Sequence, residues 1–123
     1  MIVVGLGKAG CNIARAFSKF PQYETYGIDT TKDAQITIRK KSSHEKYDEE
    51  FPDLKKKLKF KNEDVLVVTC GAGQISGGIL RLLDQIKNNT LRVIYVQPDT
   101  SLMSEVQKTQ ERIVRNVLQE YAR

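Results

Sequence analysis

The sequence predicts an α/β fold in which a Rossmann-like parallel sheet carries helices on both faces. Apolar runs over residues 2–4, 65–68 and 91–96 are typical of strands that are buried on both faces. Segments with helical periodicity lie between these runs, and two of the strands lead directly into glycine-rich turns. The order β-α-β-(β)-α-β-α-β-α favours a parallel sheet with right-handed crossovers. The length fits a single domain over residues 1–123.

The first strand runs into a G-x-G-x-x-G turn over residues 5–10, and a helix is predicted over residues 12–20. Pro21 ends this helix, because proline cannot continue the backbone hydrogen bonding of a helix. Its apolar positions recur at helical spacing and predict one face that packs on the sheet. This inward face consists of Ile13, Ala16, Phe17 and Phe20.

The second strand is predicted over residues 24–28, with Asp29 standing at its carboxyl end. A short strand can follow over residues 35–38. Residues 40–62 are polar, charged and interrupted by Pro52, so one or two short helices and an exposed lysine-rich segment are expected there.

The strand over residues 65–68 ends at Thr69 and Cys70 and opens into a loop with four glycines. Ser76 is predicted to cap the helix that follows, because a serine hydroxyl can accept a hydrogen bond from a free N–H of the first turn. The inward residues of that helix are Ile79, Leu82, Leu83 and Ile86. The last helix is predicted over residues 100–121, with an inward stripe of Leu102, Val106, Ile113, Val117 and Tyr121 and with Val114 and Leu118 to one side.

Composition and charge exclude several classes of protein. No apolar run approaches the roughly 20 residues that a membrane helix needs, and no signal peptide is seen. Cys11 and Cys70 lack metal-ligand spacing and are interpreted as free thiols in a reducing compartment. His44 is the only histidine and stands in a polar stretch, so it is expected at the surface. No catalytic residues or metal ligands are therefore assigned.

The net charge of +5 is concentrated in one part of the chain. Residues 39–61 hold nine Lys or Arg against five Asp or Glu. The lysines at 55–59 could contact a phosphate backbone, with Phe51 and Phe60 nearby for stacking. Lysine runs are more often solvated faces, so the sequence weighs against nucleic-acid binding.

The glycine loops carry the functional signal. The first follows a strand, opens a helix and has an acid, Asp29, 19 residues past Gly10. This context fits a dinucleotide fingerprint in which Asp29 meets a ribose hydroxyl; the alternative is a tight turn without a ligand. The second loop is a weaker signal alone. Two such loops on adjacent strands could enclose a polyphosphate from two sides.

Four segments together resemble the tubulin/FtsZ superfamily. Residues 5–12, GLGKAGCN, are similar to its opening G-x-G-G-x-G-x-N, and residues 29–35, DTTKDAQ, to the N-T-D-A-Q element of the FtsZ branch. Residues 68–78, VTCGAGQISGG, occupy the place of V-T-A-G-x-G-G-G-T-G-T-G. Residues 96–98 match the proline-containing exit of the next strand. The segments stand in the family's order and cover nearly the whole chain.

The resemblance implies a guanine nucleotide, GTP or GDP, with Mg²⁺ accompanying GTP. It places residues 7–11 on the phosphates, Asn12 near the base and residues 73–77 on the β and γ phosphates. The implied nucleotide-binding residues are Gly7, Lys8, Ala9, Gly10, Cys11, Asn12, Asp29, Asp33, Gly71, Gly73, Gln74, Ile75, Ser76 and Gly77.

The chain also departs from the family pattern. The second loop is one residue shorter, and Gln74 and Ile75 replace glycines. Residues 40–62, where the family senses the γ-phosphate, contain no glycine. The long central helix, the second domain and the acidic loop that completes the neighbouring subunit's active site have no counterpart in the sequence. We therefore expect no GTP hydrolysis by this chain alone, and GTPase activity only if the family activity is retained.

Three functions remain open at this point. The first is a tubulin/FtsZ-like assembly or structural subunit with guanine nucleotide at the two loops. The second is a degenerate building block of a larger particle, such as a filament or a virus structure, without nucleotide. The third is a small NAD-binding Rossmann module. The expected partners are further copies or other protein subunits at the terminal helix, with no membrane, in the cytoplasm or within a virus particle.

Overall fold

The computed structural model describes residues 1–71 and 73–121 and confirms the α/β class. Its five strands are all parallel and form one sheet in the order β3-β2-β1-β4-β5. The strands are β1 (Ile2–Leu6), β2 (Glu24–Asp29), β3 (Ile36–Thr37), β4 (Asp64–Cys70) and β5 (Thr90–Val96). The helices are α1 (Gly7–Phe17), α2 (His44–Glu49), α3 (Ile79–Gln85) and α4 (Glu105–Tyr121), with 3₁₀ turns over Gln74–Gly78 and Thr100–Leu102.

The two glycine loops follow neighbouring strands, as predicted. Leu6 at the end of β1 pairs with Ile28 of β2 on one side and with Thr69 of β4 on the other. The carboxyl ends of these three strands therefore meet at one edge of the sheet. In open parallel sheets this is the edge where ligands bind.

Helices cover both faces of the sheet, but unequally. α1 alone packs on one face, where Val3, Ala14 and Val68 form a small buried cluster. The main core lies on the other face, between the sheet and α2, α3 and α4. Its fully buried side chains include Leu6, Ile28, Val67, Ile79, Leu82 and Leu83. The predicted inward face of the helix after the second loop is confirmed.

The first helix is displaced toward the glycine motif relative to the prediction. It begins at Gly7, so the second half of the motif is itself helical, and it ends at Phe17. Ala16 and Phe20, which were expected inward, are exposed, whereas Ile13 and Phe17 are half-buried. The residues nearest the sheet are small, because this end of the helix approaches the strands closely. They are Gly7, Gly10, Cys11 and Ala14.

The inward stripe predicted for the last helix is wrong at four of its five positions, and only Val117 packs against the main core. Leu102 is 87% exposed and Val106 67% exposed, whereas Val114, expected to one side, is only 1% exposed. A polar contact fixes this rotation: the Tyr95 hydroxyl donates to Oε2 of buried Glu111 at 2.7 Å. The Arg115 Nε lies 3.4 Å from the same oxygen. Ile113 and Tyr121 are also exposed, and Val117 and Leu118 are half-buried.

The strand β5 was predicted to be buried on both faces, but it is an edge strand of the sheet. Arg92 and Ile94 are exposed on the face where α1 lies, because one helix cannot cover the full width of the sheet. Leu91, Val93 and Tyr95 on the other face pack against the main core and are half-buried.

His44 is buried, contrary to the prediction of a surface histidine. Its exposure is 4%, and it begins α2, directly against Gly77 of the second glycine loop. Its Nε2 has no hydrogen-bond partner among the described residues. Burial lowers the pKa of His44 below its usual value of 6.5, and the nearby carboxylates of Glu45 and Asp48 oppose this shift without outweighing it.

Within the described ranges, no helix is both long and apolar enough to cross a lipid bilayer.

A pair of valines on α4 tests the corrected orientation of that helix. We expect Val114→Ala to lower the free energy of unfolding by about 2 kcal/mol, because it removes fully buried methyl groups and leaves a cavity. Val106→Ala should change it by less than about 0.5 kcal/mol, because Val106 is mostly exposed. Urea denaturation followed by circular dichroism measures both variants. A larger loss for Val106→Ala would mean that the helix is rotated.

The burial of His44 predicts a pH dependence of stability. Because its folded pKa lies below the unfolded value of 6.5, unfolding takes up a proton as the pH falls below 6.5. The free energy of unfolding should therefore decrease from this pH toward the folded pKa, by at most about 1.4 kcal/mol per pH unit. His44→Gln should lack this component when both proteins are denatured at pH 7 and at lower pH. Equal pH dependence in the two proteins would contradict the burial of the imidazole.

Candidate nucleotide site

A groove lies between the start of α1 and the second glycine loop, at the carboxyl edge of the sheet. Its volume is about 360 Å³. Of the residues that the resemblance implies, the structure brings six together in this groove, and two residues that it did not indicate, Leu6 and Cys70, join them. The lining consists of Leu6, Gly7, Lys8, Ala9, Asn12, Cys70, Gly73 and Ile75.

The start of α1 has the properties of an anion site. Gly7 adopts a φ of 82°, a conformation that side-chain-bearing residues rarely adopt, and the helix begins there. Leu6 at the N-cap provides no side-chain hydrogen bond, and the first turn contains no acid. The N–H groups of this first turn therefore lack an intrahelical partner, and the helix dipole and the exposed Lys8 add positive potential. This arrangement can hold a phosphate.

Gly10 and Cys11 lie behind the groove rather than in it. A methyl group on Gly10 would lie 2.5 Å from the carbonyl oxygen of Val68 and 3.1 Å from the carbonyl carbon of Gly5. The glycine therefore permits helix and strand to touch. The Cys11 thiol lies 3.5 Å from the Ile28 carbonyl oxygen, to which it donates. Burial, with a smaller effect of Asp29, raises the pKa of Cys11 to about 11, so the thiol is protonated at neutral pH.

The two predicted aspartates are also outside the groove. Asp29 ends β2 and accepts a hydrogen bond from the Thr30 N–H at 2.8 Å. Asp33 lines a separate hollow of about 210 Å³ on the other side of Cys11, together with Arg15 and Gln35. Among the described residues that line the groove, there is therefore no carboxylate to bind a ribose.

The second glycine loop is folded onto the protein itself. It forms a 3₁₀ turn, Gln74–Gly78, in which the buried Ser76 hydroxyl donates to the Gly73 carbonyl oxygen at 2.7 Å. The prediction that Ser76 caps the next helix is wrong, because Gly78 holds that position without a side-chain hydrogen bond. Two of the predicted phosphate contacts serve packing instead. A methyl group on Gly77 would overlap the His44 carbonyl oxygen, and one on Gly71 would overlap the Tyr95 hydroxyl.

Ile75 closes the groove on the side where the second loop faces the first. Its side chain is 9% exposed, and its Cγ2 would lie only 2.9 Å from a methyl group on Gly7. A branched side chain thus occupies the space beside Gly7, while Gln74 remains exposed. The second loop therefore does not form an open backbone cradle beside the start of α1.

Other polar groups do not extend this site. The buried side-chain atoms without a partner among residues 1–71 and 73–121 are His44 Nε2 and Thr69 Oγ1, and neither residue lines the groove. In the same part of the chain, no group of three His, Cys, Asp or Glu residues is placed to hold a metal ion. The chain matches no known family model, no curated protein and no solved structure.

Substitution of two glycines of the second loop tests which of them is required for packing. We expect Gly77→Ala to lower the free energy of unfolding by about 2 kcal/mol or more, because the new methyl group would overlap the His44 backbone. Gly73→Ala should change it by less than about 0.5 kcal/mol, because its nearest neighbour would be Ile75 Cγ2 at 3.9 Å. Thermal unfolding without any nucleotide measures both. If Gly77→Ala were as stable as Gly73→Ala, the loop would not pack on α2 as described.

Proposed function

We propose that this chain is a tubulin/FtsZ-like assembly subunit that associates with further copies of itself, in the cytoplasm or within a virus particle. The observation that carries the proposal is an apolar row on and beside α4, consisting of Leu80, Leu102, Val106 and Ile113. Its members are 38%, 87%, 67% and 43% exposed. Apolar surface concentrated in this way is typical of protein interfaces rather than of a free surface.

The apolar row has the geometry of a contact surface. Val106 and Ile113 are separated by two helical turns and therefore lie on the same side of α4. Ile113 and Leu80 line one hollow between α4, α2 and α3, of about 240 Å³. Glu45 and Glu49 of α2 stand at the rim of this hollow. An apolar centre with a charged rim is the usual organisation of a protein–protein interface.

The groove at α1 supports a bound guanine nucleotide as part of the same proposal. Gly7, Lys8 and Ala9 would hold the phosphates, and the resemblance places Asn12 near the base. GDP fits this reading better than GTP, since Ile75 occupies the space beside Gly7. Among the described residues that line the groove, there is no carboxylate or histidine to activate water, so we expect no GTP hydrolysis by the isolated chain.

The second candidate is the same building block without nucleotide. The side chain of Ile75 over Gly7 favours it, because it removes half of the phosphate cradle. The third candidate, an NAD-binding module, loses its main support because Asp29 does not line the groove.

A matched pair of double variants tests the assembly. Val106→Glu with Ile113→Glu places two charges in the apolar row and should convert assemblies to monomers in sedimentation velocity. Arg112→Gln with Gln119→Glu changes the net charge equally at exposed positions on another side of α4, and should leave the assemblies intact. Both proteins should keep the native circular dichroism spectrum. A wild-type protein that is monomeric at every concentration tested would overturn self-assembly, and would leave only a different partner for this surface.

Cys70 offers a direct test of nucleotide binding. It lines the groove and is partly exposed, whereas Cys11 is buried with a pKa raised to about 11. We expect iodoacetamide to modify Cys70 and not Cys11, and GDP to slow this reaction more than NAD does. Mass spectrometry of the digested protein reports each site. Unchanged modification of Cys70 at saturating GDP, together with purified protein that releases no nucleotide on denaturation, would favour the nucleotide-free building block.

A further inference from the structure

A larger groove lies at the amino-terminal edge of the sheet, opposite the glycine loops. Its volume is about 700 Å³. One wall is the segment 55–61 before β4, and the other is the end of α3 with the loop into β5. We call it the lysine groove, because its lining includes Lys55, Lys56, Lys59, Lys61 and Lys87 with Asp84 as the lining carboxylate.

Five lysines and one carboxylate, that of Asp84, are among the described residues that line the groove, which give it a net positive charge. Within residues 1–71 and 73–121, none of the five lysines forms an ion pair; the ion pairs there involve other cations. Like charges around one concave surface repel one another and raise the positive potential inside it. A bound polyanion would relieve this repulsion and release its own counterions.

Hydrogen bonds hold the two walls in place. The Asn89 side chain donates to the carbonyl oxygens of Phe60 at 3.2 Å and Ile86 at 2.9 Å, and it accepts from the Glu63 N–H at 3.0 Å. Gln85 accepts from the Leu54 N–H at 2.7 Å and donates to the Pro52 carbonyl oxygen at 2.8 Å. The groove is therefore shaped before any ligand binds, which reduces the entropic cost of binding.

An aromatic ring lies among the lysines. Phe60 lines the groove, is half-buried, and is held by a tilted contact with Tyr26 at 5.5 Å between ring centroids. The exposed amide of Asn88 lines the same space. A positively charged groove that follows a backbone, with an aromatic ring on which a base can stack, is how proteins bind single strands without sequence preference. We infer that the lysine groove binds the phosphodiester backbone of single-stranded nucleic acid.

The composition of the groove favours this ligand over an acidic protein segment. Lysine is depleted at protein–protein interfaces, and binding there depends on aromatic, methionine and arginine anchors. Among the described residues, the lining contains no arginine or methionine, and Leu58 is 4% exposed and belongs to the main core. Lysine ammonium groups act on phosphates as point charges and need no fixed approach angle.

The test uses fluorescence anisotropy with short labelled oligodeoxyuridylate and oligouridylate, which differ only in the sugar, over a range of salt concentrations. Contact with about three phosphates predicts a slope near −2 in a plot of log K against log salt. Lys55→Gln with Lys59→Gln should lower affinity at least about tenfold at about 50 mM salt and flatten the slope by about 1.4. Lys19→Gln with Lys32→Gln removes the same charge at exposed positions that do not line the groove, and should change affinity less than about twofold.

A variant on the opposite wall tests whether the nucleic acid lies inside the lysine groove. Lys87→Gln, on the opposite wall, should also weaken binding, which a contact made only by the segment 55–61 would not explain. Binding of either oligonucleotide supports the inference, and a preference between them identifies the sugar that the groove accepts. Equal losses in the groove and control variants, no binding at the lowest salt, or equally strong competition by polyglutamate would each overturn it.

Discussion

The close approach of α1 to the sheet at Gly5 and Gly10 is the contact on which the rest of this structure depends. Methyl groups at these positions would collide with the backbone of the opposite element. Only glycine allows the helix to begin directly at the end of β1 and to lie against β4. The same contact fixes where the first N–H groups of the helix point. The motif would therefore be required by packing alone, and its presence does not distinguish a phosphate site from a tight turn.

The second glycine loop could also be either a phosphate site or a packing turn, and most of its glycines serve packing. The backbone of α2 occupies the space beside Gly77, and the Ser76 hydroxyl donates a hydrogen bond to the Gly73 carbonyl oxygen. This close contact buries His44 and leaves its Nε2 without a partner among residues 1–71 and 73–121, which costs free energy that the surrounding apolar contacts must offset. Ile75 then joins the two loops by lying over Gly7. A glycine-rich loop can thus be closed by packing: Gly71, Gly77 and Gly78 lie against neighbouring protein atoms, and only Gly73 has room for a methyl group.

Much of the fold could be predicted from the sequence, because strand runs and glycine turns are local signals. The order of elements, the adjacency of β1 and β4, and the position of Asp29 at a strand end all follow from them. The rotation of α4 could not be predicted, since it depends on the hydrogen bond between Tyr95 and Glu111 across the fold. From the apolar pattern alone, Leu102, Val106 and Ile113 were expected to face the core, although they are exposed. The burial of His44 likewise depends on a contact with a loop more than thirty residues away.

Six residues of the candidate site could be predicted from the two glycine loops, including Gly73 and Ile75 of the second loop. Gly7, Lys8, Ala9 and Asn12 meet in the groove because α1 carries them there together. Cys70 reaches it through strand pairing, which the sequence does not specify by residue. The lysine groove needs two segments that are distant in sequence, joined by the side chain of Asn89. A run of lysines therefore gives no sign, in the sequence, of whether it surrounds a groove or lies on an open face.

Because the sheet is covered unequally, the residues that stabilise the domain are largely different from the residues on the candidate binding surfaces. Nearly all of the large buried side chains lie between the sheet and α2, α3 and α4. The other face depends on α1 alone, and Ile94 on the edge strand remains 42% exposed. The apolar row and the exposed residues of the two grooves lie outside the main core, which reaches the grooves only through Leu6, Ile75 and Leu58. Because a protein is only marginally stable, substitutions on these surfaces can change binding without reaching the contacts that keep the domain folded.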